Sequence, residues 1–278
     1  MVADLHVHTT ASDGTLDPEQ VVARAAGLGL TTIAITDHDT VKGISRALRA
    51  GRNHGLNIIP GVELSTVLGE EEELHILGLF INYQDPVLNC VLARLRQARW
   101  RRMKEMTKRV KELGLPVTWS RVREIAGQGA VGRPHLARAL VEKGYISSVG
   151  EAFSRYIGKG CPAYVPRPRL RSEEAIRLIR QARGIPVLAH PGWIPLERVW
   201  HLMAKGLMGL EVFYPRHNLP TTRRLYRMAK GWHLLLSGGS DFHGLAREGS
   251  QLGKVAIPEE YLWALEKTRF SLPDREKD

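Results

Sequence analysis

The 278 residues carry 40 Lys and Arg against 29 Asp and Glu, a net charge of +11, with 43% hydrophobic residues. That length allows one large α/β domain with an insertion, and no apolar run approaches the length of a membrane span. The only cysteines, Cys90 and Cys161, are too far apart in sequence to suggest a disulfide framework, and the chain opens without the pattern of a secretory signal, so a cytoplasmic setting is expected.

Short apolar runs alternate with helix-like stretches from the start: Leu5 to His8, Pro18 to Leu28, Thr31 to Thr36, Val41 to His54 and Ile58 to Glu63. This rhythm predicts parallel strands with helices outside the sheet. From about Ala98 to Val165 the pattern turns helical without clear strands and is expected to form an inserted helical subdomain, 98–165. The strand and helix rhythm returns with Ser172 to Arg183, Pro186 to His190, Leu196 to Lys205, Gly209 to Phe213, Thr221 to Gly231 and His233 to Ser237. The main domain is therefore expected to comprise 1–97 and 166–278, with a barrel-like (β/α) architecture whose site lies at the C-terminal ends of its strands.

Ionisable residues gather where those strands should stop. In Asp4-Leu5-His6-Val7-His8, strand alternation puts both imidazoles on one side, and Asp13 follows in the next loop. Asp37-His38-Asp39 follows Ile33-Ala34-Ile35, and Gly61-Val62-Glu63 follows Ile58-Ile59-Pro60. His75 sits inside an apolar segment, His190 ends Pro186-Val187-Leu188-Ala189, and Asp241-Phe242-His243 follows Leu234-Leu235-Leu236. A single histidine of this kind is usually a satisfied core residue. Six of the eleven histidines share the pattern, however, and so many imidazoles and carboxylates are hard to neutralise by hydrogen bonds alone. Divalent cations would neutralise them, and a nitrogen and oxygen donor set without cysteine suits zinc, manganese or iron.

The ordered series His6-x-His8, Ser12-Asp13-Gly14, Thr36-Asp37-His38-Asp39, Gly61-Val62-Glu63, His75-Ile76-Leu77-Gly78, Ala189-His190-Pro191-Gly192 and Ser240-Asp241-Phe242-His243 resembles the PHP (polymerase and histidinol phosphatase) metal-dependent phosphoesterases along nearly the whole chain. Gly132-Arg133-Pro134-His135 in the insertion makes it most similar to their 3′,5′-nucleoside bisphosphate phosphatase and 5′-to-3′ exoribonuclease subgroup. The resemblance implies a distorted (β/α)7 barrel with a helical insertion and three divalent metals (Mn, Fe or Zn). It gives His6, His8, Glu63 and Asp241 to one metal, lets Glu63 bridge to a second held by His75 and His190, and assigns Asp13, His38 and His243 to the third. It further implies attack by a metal-bridging hydroxide, so that no nucleophilic serine or cysteine is required.

Other residues keep two readings. Asp37 and Asp39 either orient imidazoles or cap the turn after their strand. His217 is a candidate general acid or phosphate contact, or an ordinary loop histidine. Arg133 and His135 are the candidates for substrate specificity, because an arginine fork holds a phosphate bidentately; alternatively Gly-Arg-Pro-His is a helix start. Lys159, between two glycines, is a further phosphate candidate or an exposed turn. The basic stretch from Arg94 to Lys111 is either a solvated helix face or a positive flank that draws in nucleotide or RNA.

The expected activity is removal of the 3′-phosphate from nucleoside 3′,5′-bisphosphates, as from adenosine 3′,5′-bisphosphate to AMP, with short 5′-phosphorylated RNA as a second substrate. The rival enzyme is a histidinol-phosphate phosphatase, and the rival of another class is a noncatalytic nucleic-acid-binding module. No membrane contact and no obligate protein partner are expected.

Overall fold

A computed structural model describes residues 2–69, 72–127, 131–166, 170–192, 194–244 and 251–271. The first half runs β1 (Ala3–Val7), α1 (Pro18–Gly27), β2 (Thr32–Ile35), α2 (Ile44–His54), β3 (Asn57–Leu68) and β4 (Glu72–Leu79). Helices α3 (Pro86–Glu112), α4 (Trp119–Ala126), α5 (Arg133–Glu142) and α6 (Val149–Ala152, continued as a π-turn over Phe153–Ile157) follow. The chain then passes through α7 (Ser172–Gln181), β5 (Ile185–Leu188), α8 (Leu196–Ala204), β6 (Gly209–Phe213), α9 (Leu219–Gly231), β7 (Leu235–Gly238) and α10 (Glu259–Phe270). No helix of the described residues is long and apolar enough to cross a membrane.

The seven strands form one curled sheet in sequential order. Alternation along the strands splits the apolar residues between its faces. Ile33, Ile35, Leu210 and Val212 join the core shared with the surrounding helices, whereas Leu5, Ala34, Ile59, Leu77 and Val187 form a separate cluster with Leu262 and Leu265 of α10. At the seam between first and last strands, His8 N donates to Phe242 O at 2.9 Å and Phe242 N to His6 O at 3.3 Å.

The expectation of parallel pairing holds except at β4. That strand runs antiparallel to both β3 and β5, since the short turn after Leu68 returns the chain directly instead of crossing over through a helix. Nor does β3 stop at Glu63; it continues to Leu68 because its upper half has β4 as a partner. His75 therefore reaches the same end of the sheet as the other histidines from near the start of its strand.

Between β4 and β5, α3 is continuous from Pro86, with Asp85 accepting from Leu88 N at 2.9 Å as its cap. Leu88 and Leu92 belong to the main core, but Met103, Met106 and Val110 belong to a second one built with Val122, Leu136 and Leu140. Position 98 thus lies inside one helix, and the change of core occurs between Leu92 and Met103. Cys90 is exposed and Cys161 half-buried.

The seam leaves no room at Gly239, where an added Cβ would lie 2.6 Å from His6 Cβ and 2.9 Å from Asp4 Oδ1. Gly239→Ala should cost about 1–3 kcal/mol through overpacking and lower the thermal midpoint by several degrees. Gly27→Ala, where nothing lies within 4 Å, is the control and should leave the midpoint unchanged or slightly raised. Equal midpoints in the two variants would refute the seam as a tight closure.

Candidate metal centre

Glu63 lies at the middle of the cluster, 1% exposed. His6 Nε2, His8 Nε2 and His38 Nδ1 are 3.3, 3.2 and 3.0 Å from its Oε2, while His75 Nδ1 and His190 Nε2 are 2.7 and 3.1 Å from Oε1. Asp241 Oδ1 stands 3.6 Å from His6 Nε2 and 3.3 Å from His8 Nε2. His243 Nε2 faces Asp13 Oδ1 at 3.4 Å. The nine expected ligands thus converge at one end of the sheet.

This spacing fits metal ions. Donors bound at about 2.0–2.2 Å stand roughly 3.0 Å apart at right angles and 3.5 Å apart in a tetrahedron. Among the described residues, three sets of donor atoms lie within 4.8 Å of one another: His6, His8, Glu63 and Asp241; His8, Asp13, His38 and His243; and His38, Glu63 and His75. His8 and His38 each fall in two sets, so the grouping is less partitioned than the resemblance implies, and His190 joins through Glu63 Oε1 alone. His6 Nε2, both His8 nitrogens, Asp13 Oδ1, His38 Nδ1 and Glu63 Oε2 are buried without a hydrogen bond. Such atoms cost free energy unless a cation meets them.

The electrostatics point the same way. Burial pulls His6 down, but Glu211, Glu63 and Asp241 hold its pKa well above the usual imidazole value, and against burial Asp241 and Glu63 raise His8 to about 9. Glu63 and Asp13 lie well below the carboxylate range, because surrounding imidazoles outweigh their burial. His38 goes well below its ordinary value, where burial and the neighbouring His8 and His75 prevail over Glu63 and Asp13. The cluster accepts positive charge either as protons or as metal ions, so acid competes with metal.

Buried polar groups set the orientation of these donors. His6 Nδ1 donates to Glu211 Oε1 at 2.9 Å, which leaves Nε2 bare, and the other Glu211 oxygen accepts His190 N at 2.6 Å. Glu211 escaped the sequence reading, although an acid within Gly209-Leu210-Glu211-Val212-Phe213 was the available signal. Tyr214 donates its hydroxyl to Asp241 Oδ2 at 3.0 Å, turning Oδ1 toward His6 and His8. His243 Nδ1 donates to Asp241 O at 2.8 Å. Asp4, pushed by burial up to about 6, accepts Ser240 N at 2.9 Å and Gly253 N at 3.0 Å. Asp39, His190 and Asp241 hold positive φ angles of 51°, 28° and 49°, a cost tolerated where the surroundings fix the backbone.

The flanking aspartates hold loop backbone, hydroxyls and an arginine. Asp37 accepts Thr9 N, Thr9 Oγ1 and Ser12 Oγ at 2.8, 2.8 and 2.6 Å, so it braces the loop that carries Asp13. Asp39 accepts Ser65 N at 3.1 Å and pairs with the buried Arg99 of α3. His217 Nδ1 donates to Val212 O at 3.0 Å, and Nε2 accepts Gly192 N at 3.2 Å. Both nitrogens are thereby spent on backbone, and burial lowers its pKa, so in this conformation His217 braces two loops and has no proton facing a leaving group.

The insertion meets the site through Arg99 on Asp39 and Arg138, which donates to Asp13 O at 3.2 Å. His135 Nδ1 accepts Gly132 N at 2.9 Å, and burial lowers its pKa to about 4; it is neutral with its proton on Nε2. It lines a cavity of about 490 Å³ with Thr10, Ser12, Lys42, Arg46 and Ile125, beside the Asp13 loop. Arg133 is not on that wall: its guanidinium stacks 5.1 Å from the Phe153 ring and 5.9 Å from that of Tyr164. Lys159 is exposed in the turn after the π-helix.

Glu63→Gln should remove most of the bound metal, since it takes the charge from the shared donor. Glu211→Gln should weaken metal binding about 10–100-fold by releasing His6 and His190 while the fold persists. Chelator competition followed by elemental analysis, with circular dichroism as the folding control, measures both; wild-type retention in Glu63→Gln would overturn the centre.

A family model for the PHP domain matches residues 4–94. Over 251 residues, 87% of this chain and 85% of the relative, the sequence is 39% identical to the 5′-3′ exoribonuclease Rnm of Escherichia coli. It is 32% identical over 257 residues, 90% of each chain, to the 3′,5′-nucleoside bisphosphate phosphatase of Chromobacterium violaceum. The crystal structure of a protein from Bifidobacterium adolescentis, described as a metal-dependent phosphoesterase, superposes with a TM-score of 0.91 at 32% identity, covering 97% of this chain and 96% of that one. Relatives matched over most of their length are thus named as an exoribonuclease and a phosphatase, and this chain holds a buried donor cluster suited to divalent cations. The chain belongs to the PHP family and is a metal-dependent phosphoesterase.

Proposed function

We propose that the enzyme removes the 3′-phosphate of nucleoside 3′,5′-bisphosphates and also hydrolyses short 5′-phosphorylated RNA. The observation that carries this reading is the helical insertion held against the loops of the donor cluster by Arg99 on Asp39 and Arg138 on Asp13 O, with a cavity of about 490 Å³ beside the Asp13 loop whose cations are Lys42 and Arg46. A substrate with one phosphate, such as histidinol phosphate, has no use for a second phosphate site beside Lys42 and Arg46. The relatives named as bisphosphate phosphatase and exoribonuclease support the same substrate class.

In this reading three divalent ions of the manganese, iron or zinc type are held as follows: one by His6, His8, Glu63 and Asp241, one by Glu63, His75 and His190, and one by Asp13, His38 and His243. When bound, the ions supply Lewis acidity toward the phosphoryl oxygens and activate water for an in-line displacement. The protein's own task is positional. Glu211 and Tyr214 keep His6 Nε2 and Asp241 Oδ1 aimed inward, and Asp37 holds the Asp13 loop in reach. His135 offers its Nε2 proton, and Arg133 its guanidinium, to the phosphate that is not cleaved; Lys159 is a lesser contact to that end of the substrate, and His217, with both nitrogens on backbone, holds its loops instead. We also infer that 98–165 acts as a separate substrate-recognition unit on the 1–97 and 166–278 catalytic domain.

Product analysis of the metal-reconstituted enzyme on adenosine 3′,5′-bisphosphate, histidinol phosphate and a 5′-phosphorylated oligoribonucleotide tests the reading. The bisphosphate should yield AMP and phosphate, with histidinol phosphate the poorest substrate; the reverse order would overturn it. Arg133→Ala should raise KM for the bisphosphate about 10- to 100-fold, the equivalent of losing a charge-assisted contact of roughly 1.5–3 kcal/mol, and should scarcely alter hydrolysis of a simple phosphate monoester. Equal losses on both, with metal content intact, would remove Arg133 from the substrate site.

A further inference from the structure

Helix α3 carries nine Lys and Arg and two Glu, a net +7 within a protein of net +11. The cations divide by face. Arg99 and Arg102 are buried, the former on Asp39 and the latter donating to Val165 O at 2.6 Å. Arg101, Lys104, Lys108 and Lys111 are exposed and line a groove of about 630 Å³ whose other wall is the Pro116–Trp119 connection into α4. Arg101, Lys104 and Lys111 have no ion-pair partner among the described residues, while Lys108 stands 3.8 Å from Glu112. At 1.5 Å per residue the rail is about 15 Å long, and it starts on the helical turn whose inner face touches Asp39 beside the metal centre.

Aromatic rings complete the groove. Trp119 lines it and meets Trp100 edge-on at 5.8 Å; Trp100 is 43% exposed, with the Arg123 guanidinium 4.6 Å from its ring centroid. A run of exposed cations, three of the four without an ion pair among the described residues, beside indole and guanidinium planes combines the backbone attraction and the base-stacking platforms that single-stranded nucleic acids use. An acidic protein would be served by the cations but would make no use of the half-exposed indole and its guanidinium as a stacking surface.

We propose that this groove is a docking track for single-stranded RNA, holding the nucleotides that trail 3′-ward from the phosphate at the metal centre. The proposal deepens the functional reading above and rests on it for the direction of the strand. Its test is fluorescence anisotropy of the metal-loaded enzyme with a 12-nucleotide phosphorothioate oligoribonucleotide, alongside hydrolysis of adenosine 3′,5′-bisphosphate. The triple reversal Lys104→Glu, Lys108→Glu, Lys111→Glu should weaken RNA binding at least 30-fold and reduce the slope of log affinity against log salt by about 2, as expected for three phosphate contacts on a single strand. Trp100→Ala should weaken binding about tenfold. Bisphosphate hydrolysis should stay within twofold of wild type in both variants. Unchanged RNA affinity in the triple variant, an equal loss on the bisphosphate, or tighter binding to phosphatidylserine vesicles than to RNA would each overturn the track. If the wild type hydrolyses neither substrate yet binds RNA through these residues, the track stands and the substrate reading falls.

Discussion

One buried carboxylate surrounded by five imidazoles governs this structure. Hydrogen bonds alone leave the cluster unsatisfied: His75 and His190 bond Glu63 Oε1, while Glu63 Oε2, His6 Nε2, His8 Nε2 and His38 Nδ1 are buried without one. Cations resolve the conflict, and the separations between donors match those around a small divalent ion. The sheet must therefore curl until His6 and His8 on its first strand meet Asp241 and His243 beyond its last. The apolar cores make that curvature affordable, and the donor cluster gives it a purpose.

Precision in the cluster comes from polar groups that touch no substrate. Asp4, Asp37 and Glu211 are almost fully buried, yet each accepts at least two hydrogen bonds from the loops or rings that carry donors. The bonds of Glu211 and Asp4 meet left-handed backbone at His190 and beside Asp241. Arg99 extends the same network into the insertion, where its pairing with Asp39 links α3 to the residue after His38.

Much of this was legible in the chain. The boundaries of α1, β2, α7, β6 and β7 lie within two residues of those read from periodicity, and the gathering of histidines and carboxylates at strand ends and in apolar segments pointed to the place where the structure clusters them. What escaped depends on neighbours in space. Nothing local to Glu72–Leu79 says that the strand turns back on β3, because antiparallel and parallel strands share the same alternation. Glu211 looked like one acid in an apolar strand, and its importance lies in two donors supplied from β1 and from the end of β5. Asp37 and Asp39 were recognised as notable, but that Thr9, Ser12, Ser65 and Arg99 are among their partners is a choice set by loop packing. The helical insertion was visible as a change of rhythm, whereas the passage of α3 from one core to another required the packing itself.

The seam also orders events on the ribosome. Asp4 and Ser240, joined by a hydrogen bond in the finished protein, are 236 residues apart. At roughly 5–20 residues per second, His6 and His8 wait on the order of 10–50 s for the strand that completes their site. During that interval the nascent histidines have no Asp241 or His243 beside them, so a metal captured early would be loosely held and exchangeable. Selection of the ion is thereby deferred until synthesis is nearly complete, and the metal population of the surrounding solution at that moment bears on which ions the enzyme acquires.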